Sequence, residues 1–407
     1  MSTSQPFVES QANAPTQAGS PRADAQHPAA RIVQATRDYY KLDLDRPDRL
    51  LHRVERADPK FRLTLLSAYD HAHPGALAAS RLNELHEARA RIQAYAAVRD
   101  SLVSLVPGLR PVKGLAISAC YPAPLLRHQG DLDLHAPDEA GLWRAAQALI
   151  ADGWQLTDLG VRQVERAPAH LLTFCLPHGD DLARPIYVEL TDVAWLGDGR
   201  RSTPRRSLPA SPSDGAVTSL LFLSLEAFER PLGLRDAVDS WLLAARLTEH
   251  DRALLVGLVG RLRLHDAYRR LLATVERGGL LAESGLPDVP SPSRRRPALC
   301  RPDAAALRWL QWAGFYRGPS RLRDAAWERL AMRVDAPRAL RFGLWTFGVP
   351  AEALGVHDQP QADGTAAAVP QDKAVLRGRR RLATPVGDFF LVAGPQVPAD
   401  ILVDATG

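Results

Sequence analysis

Lysine is nearly missing from this chain. It occurs only at Lys41, Lys60, Lys113 and Lys373, while arginine supplies the rest of the 51 basic residues. That bias looks like codon usage, and it makes a lysine beside a glycine turn more informative than usual. Cysteine is scarce as well. Cys120, Cys175 and Cys300 are odd in number and far apart, which argues against a disulfide framework or a zinc site and points to reduced thiols in the cytoplasm. No apolar run approaches the roughly 18 residues needed to cross a bilayer, so no membrane partner is expected. Met1-Ser2-Thr3-Ser4-Gln5 lacks the basic start and apolar run of a signal peptide. There is no internal repeat.

What is present is an ordinary globular composition, 46% hydrophobic and 24% charged, in a 407-residue chain with room for two or three domains. The formal charge of +5 could attract an acidic partner, but 51 basic residues nearly balance 46 acidic ones. The arginines from Arg294 to Arg341, including Arg294-Arg295-Arg296, lack the interleaved aromatics of a nucleic-acid surface.

Residues 1–30, rich in Ser, Gln, Ala and Pro, cannot bury enough apolar surface to offset ordering entropy and read as a disordered leader. Residues 31–108 read as a helical segment, clearest where Leu82, Leu85, Ile92, Tyr95 and Leu102 recur at helical spacing before Pro107-Gly108. Residues 109–200 change period and form the expected core. Strands are predicted at Pro111-Val112-Lys113, 131–135, 154–159, 161–166, 171–176 and 186–190. A helix starts at Pro137-Asp138-Glu139, buries Leu142, Ala145, Ala146, Leu149 and Ile150, and stops at Asp152-Gly153. Residues 197–215 read as a loop. Residues 216–348 read as a helical region, in which Leu234, Ala237, Val238, Trp241, Leu242 and Ala245 share one face while Arg235, Asp236 and Asp239 lie off it. A further helical stretch is predicted over 303–344. Residues 349–407 read as a largely flexible tail whose patch Phe389-Phe390-Leu391-Val392 docks on the body.

The chemistry concentrates between Lys113 and Glu189. Asp131 and Asp133 stand two apart on a predicted strand, about 6.8 Å between α-carbons and on one face. Leu132 and Leu134 take the other face. Two such carboxylates can converge on magnesium, which takes oxygen ligands and keeps several waters. Glu189 in Tyr187-Val188-Glu189-Leu190 is the natural third carboxylate, with Asp192 second. Gly114, between a strand and a helical turn, would let phosphate approach backbone N–H groups, with Lys113 or Ser118 touching it. Arg127 could neutralise phosphate charge or pair with Asp131. Tyr121 could stack on a base or pack on the sheet. His128 and His135 flank the carboxylates as base, ligand or ordinary loop residues. Asp236 and Asp239 could reach the cleft or pair on the helix surface with Arg235 or Arg246.

Lys113-Gly114, Tyr121-Pro122, Arg127, Asp131-Leu132-Asp133-Leu134, Asp152-Gly153-Trp154 and Tyr187-Val188-Glu189-Leu190 occur in that order. With Leu234-Arg235-Asp236-Ala237-Val238-Asp239 they resemble the bacterial "uncharacterised nucleotidyltransferase" family of the polymerase-β-type nucleotidyltransferase superfamily, over about residues 50–270. The resemblance implies an α+β fold: a small mixed β-sheet nucleotidyltransferase core with flanking helices and a C-terminal helical region. It further implies that Asp131, Asp133 and Glu189 hold magnesium, in all two ions, and that Lys113 and Gly114 meet the phosphates of an NTP such as ATP. The expected activity is transfer of a nucleoside monophosphate to a small-molecule, peptide, protein or RNA acceptor. A catalytically degenerate nucleotide- or peptide-binding module is the alternative. Two departures stand out. Leu115 occupies the position of the superfamily's turn serine, and Thr191 follows Leu190 where the family often has histidine.

Overall fold

Apolar residues of this chain gather in two cores, one helical and one built on a sheet, and the predicted chemistry falls between them. A computed structural model describes residues 28–42, 47–164, 167–176, 185–196, 203–205, 215–289, 346–350 and 380–392. Helices α1 (Pro28–Tyr40), α2 (Pro47–Ala57), α3 (Arg62–Ala72) and α4 (Ala79–Leu105) come first. Then follow β1 (Arg110–Pro111), α5 (Gly114–Ser118), β2 (Leu132–His135), α6 (Glu139–Ala151), β3 (Gln155–Val164), β4 (Ala167–Leu176) and β5 (Ile186–Thr191). Strands β6 (Ala194–Leu196) and β7 (Thr203–Arg205) lead to α7 (Ala216–Glu229), α8 (Leu234–Ala244), α9 (Glu249–Leu262), α10 (His265–Arg277) and α11 (Leu281–Ser284). Strands β8 (Thr346–Pro350), β9 (Arg380–Thr384) and β10 (Gly387–Val392) come last. The fold is mixed α+β.

The main sheet has the order β1-β2-β5-β4-β3-β8-β10-β9, while β6 and β7 pair separately. Within it β2 and β5 are parallel and every other pair is antiparallel. Alternation decides the faces. Leu132, Leu134, Val188, Leu190, Leu172 and Phe174 point into the sheet core, which α6 covers with Leu142, Ala146 and Leu149. Asp138 caps α6 by accepting from Gly141 N at 2.7 Å, and Gly153, at φ +85°, ends the turn beyond it.

Several sequence expectations change. The predicted strands 154–159 and 161–166 are one strand, β3, because Gly160 pairs with Leu171 and does not break the ladder. Leu82 is 42% exposed and Ile150 40% exposed. The first follows from the role of α4, which sends Leu85 into the helical core and Tyr95 and Leu102 into the sheet core. A helix joining two cores has no single apolar stripe. Ile150 sits at the last turn of α6, past the sheet. Helices α1 and α3 share one core with α7, α8 and α10. Residues 203–205 of the predicted loop pair as β7. Phe389-Phe390-Leu391-Val392 forms β10, with Phe389, Phe390 and Leu391 buried. Residues 1–27 of the predicted leader and the helical stretch 303–344 lie outside the described residues, whereas residues 28–30 of that leader begin α1, with Ala29 buried.

Candidate functional site

Register builds the site. In the parallel pair β2–β5, Asp133 stands opposite Glu189. Across β5–β4 Glu189 stands opposite Thr173, and across β4–β3 Thr173 stands opposite Asp158. Directly opposed residues share a face, so Asp133, Glu189, Thr173 and Asp158 make one row across four strands, turned away from the sheet core. A cavity of about 470 Å³ opens over this row. Asp131, Asp133, Glu189 and Asp158 line it from the sheet; Phe222, Leu225, Glu226 and Arg235 line it from α7 and α8. Lys60, Lys113, Gly114, Arg127, His128 and His135 are also part of the wall.

Burial pushes the Asp133 carboxyl well above the usual carboxylate range, with Lys113 opposing the rise and the Asp131 and Glu189 charges adding to it. Glu189 is raised by burial first and by Asp131 next, again against Lys113. The two carboxyl groups interact directly, so a proton on one favours the charged form of the other. A pair of acids on neighbouring strands cannot both ionise without a cation between them. The donors are oxygens, as magnesium prefers, and a divalent ion would take the place of the shared proton. Among the described residues no group of three or more His, Cys, Asp or Glu side chains converges as a ready-made metal cage. A cation would therefore be held first by the Asp133–Glu189 pair, with Asp131 drawn in.

Lys113 precedes α5 at φ 53° and ψ −124°, a backbone region that favours glycine and stores strain in other residues. Its Nζ lies 5.4 Å from the centre of the Phe222 ring, and its charge acts on both Asp133 and Glu189. A Cβ at Gly114 would meet Gln129 Nε2 at 2.5 Å, so the end of the Gln129 side chain would have to shift. Gln129 in turn donates to Asp131 O and receives the Ser118 hydroxyl at 3.4 Å. Ser118 also donates to Gly114 O at 3.1 Å and does not line the cavity. Leu115 is buried in the sheet core, so no side chain from that position reaches the cavity.

Arg127 lines the cavity, yet its fork is filled. Nε and Nη2 donate to the two oxygens of Asp239 at 2.9 Å each, and Nη1 reaches Gly114 O at 3.3 Å. Tyr121 Oη donates to Asp239 Oδ1 at 2.7 Å, so Tyr121 is a buried structural group rather than a base platform. These contacts tie α8 to the loop between α5 and β2. Asp236 is used in the same way: Arg230 Nη1 and Nη2 donate to its two oxygens at 2.8 Å each, and Gly233 N donates to Oδ2 at 2.8 Å. Both aspartates are fully buried. They are inward anchors for Arg127 and Arg230; the expected pairing of Asp236 with Arg235 is present at 3.6 Å, but buried rather than on the helix surface. Arg235 differs from the other two arginines. Its residue is 8% exposed, its nearest carboxylate oxygen is Asp236 Oδ1 at 3.6 Å, and its guanidinium donates no hydrogen bond among the described residues.

The loop that carries Asp131 is fixed from α4, where Tyr95 Oη donates to Gly130 O at 2.7 Å. Burial lowers His128 to about 4, helped by the charges of Lys60 and Arg235. Burial likewise lowers His135 to about 4, and its Nε2 meets no partner. Asp192 accepts from His170 N at 2.7 Å and faces Nδ1 at 3.1 Å, so it belongs to a buried histidine contact outside the cavity lining. Sequence reading missed His170, Asp158 and the inward use of Asp236 and Asp239. Only the Asp-x-x-Asp spacing of α8 hinted at the last. Comparison with models of protein families, with curated proteins and with solved structures finds no match to this chain.

Proposed function

We propose that this chain is a magnesium-dependent nucleotidyltransferase with a polymerase-β-type core, moving a nucleoside monophosphate from an NTP, ATP foremost, to a small-molecule, peptide, protein or RNA acceptor. The observation that carries this reading is the facing of Asp133 and Glu189 on adjacent parallel strands inside a cavity that also holds Asp131 and Lys113. Asp133 and Glu189 would hold the metal with Asp131, and magnesium, when bound, supplies neutralisation of charge on the entering and leaving oxygens. Lys113 offers an ammonium to the α-phosphate as it bonds to the acceptor oxygen and pyrophosphate leaves. Asp158, on the same face two strands from Glu189 and about 10 Å along by strand spacing, can receive the proton of an acceptor hydroxyl. Burial raises the Asp158 carboxyl while the Leu159 backbone opposes the rise, a setting that suits a general base.

A second reading, a nucleotide- or peptide-binding module on the same fold, draws on the packed turn, where Gln129 crowds Gly114 and Leu115 faces the core. One experiment separates them. Wild-type protein and Asp131→Ala/Asp133→Ala are incubated with α-labelled ATP, GTP, CTP or UTP, Mg²⁺ and cell extract. Transfer predicts label on an acceptor with wild type and a loss of about 100-fold or more in the variant. Equal labelling would sink the enzyme reading.

A further inference from the structure

Three arginines meet the carboxylates of α8, and two of them have their forks filled. Arg127 grips both oxygens of Asp239, and Arg230 grips both oxygens of Asp236. Arg235 lines the cavity with its guanidinium in one long ion pair only, to Asp236 Oδ1 at 3.6 Å. That oxygen is already taken by Arg230, Glu226 also pairs with Arg230, and Asp58 Oδ2 accepts the Arg235 backbone N–H at 3.3 Å. A guanidinium that is nine-tenths buried, with no bidentate acceptor, calls for an anion in the cavity. Lys60 lines the same wall from the turn between α2 and α3, exposed and with no ion pair among the described residues.

We infer that Arg235 and Lys60 form the polyphosphate subsite of this cavity, on the helical body facing the carboxylate row, and that it takes the triphosphate tail of a nucleotide. This rests on the nucleotidyl-transfer reading and relocates its phosphate contacts. The turn at Gly114 is crowded by Gln129, Ser118 bonds internally, and Arg127 is spent on Asp239. The phosphates then bridge the cations of the helical body and the Lys113–carboxylate centre of the sheet. A volume of about 470 Å³ falls in the range of roughly 300–1,000 Å³ typical of small-molecule sites and suits one nucleotide. The lowered proton affinity of His128, to which Lys60 and Arg235 contribute after burial, reports the same positive field.

The test is calorimetric titration of the full chain with inorganic tripolyphosphate, ATP and AMP in metal-free buffer. The proteins are wild type, Lys60→Gln and Arg235→Gln, each first checked by its melting curve. The subsite predicts that tripolyphosphate and ATP bind wild type, about threefold weaker in Lys60→Gln and at least tenfold weaker in folded Arg235→Gln, with AMP unaffected. Tripolyphosphate affinity equal in wild type and Lys60→Gln, or absent in wild type, overturns it; because Lys60 is exposed, that arm holds even if Arg235→Gln does not fold. Tripolyphosphate binding that depends on both residues without any nucleotidyl transfer by wild type would leave the subsite standing and remove the transferase reading. Transfer with unchanged KM for ATP in both variants would do the opposite.

Discussion

Lys113 holds a backbone conformation that costs a non-glycine residue about 1–3 kcal/mol, while its ammonium faces two acids whose carboxyls it stabilises as anions. Strain kept at such a position is expected where the side chain is needed for function. Lys113→Gly should therefore melt higher than Lys113→Ala, reversing the usual order, by a difference of about 1–2 kcal/mol in urea unfolding. Both variants should lose nucleotide transfer. A glycine variant less stable than the alanine variant would show that the lysine is unstrained. At this scale the sequence was partly legible. Asp131, Asp133 and Glu189 could be placed by the two-residue period of strands, and Lys113 by its rarity beside a glycine. Asp158, His170 and Arg235 could not, because each gains its setting from a partner strand or helix far along the chain. Gly114 was picked out for phosphate access, whereas nothing in the sequence signals that the end of the Gln129 side chain packs against it.

Between elements, α8 is the hinge pin of the site. Its Asp239 binds Arg127 and Tyr121 from the loop between α5 and β2, and its Asp236 binds Arg230 from the end of α7. Removing one partner of a buried ion pair strands the other charge and costs about 3–5 kcal/mol. Asp239→Ala should lose about that much stability in denaturant unfolding, and Arg127→Met/Asp239→Leu should recover a good part of it. A cost below about 1 kcal/mol for Asp239→Ala would mean the pair is not buried as described. Periodicity put Leu234, Ala237 and Val238 on the core face of α8 correctly, and all three are fully buried. It placed Asp236 and Asp239 off that face because a polar residue carries no sign in its own sequence that its counter-ion will arrive from elsewhere. Strand merging in β3 was hidden for a related reason, since a glycine reads as a break until its neighbours are known.

Over the whole molecule, the site is an interface between a helical body and a sheet, and its acids and histidines pull stability in opposite directions with pH. His128 is lowered by burial from 6.5 to about 4. Its unfolded form then binds more protons between those values, so stability is full above about pH 6.5 and falls as pH drops toward 4. His135 acts with the same sign. Asp133 and Glu189 are raised, so the folded state binds the extra proton and their contribution falls as pH rises out of the ordinary carboxylate range. The drop in urea midpoint between pH 7 and pH 4.5 should be smaller in His128→Gln than in wild type. An unchanged drop would place the acid sensitivity elsewhere. The shared helical core was the least legible feature, because α1 and α3 join α7, α8 and α10 although strands β1–β7 lie between them in the chain. No local pattern encodes a contact of that range.

The proposed metal site stands or falls on Asp133 and Glu189, two facing acids whose charges repel until a cation joins them. The direct measurement is the melting temperature with and without Mg²⁺ at pH 7, in wild type and in Asp133→Asn/Glu189→Gln. The variant should melt higher than wild type in metal-free buffer, because it lacks the proton-sharing acids, and Mg²⁺ should raise wild type alone. A variant that melts no higher without metal, or that gains as much from Mg²⁺ as wild type does, would contradict the assignment of these two carboxylates to a metal.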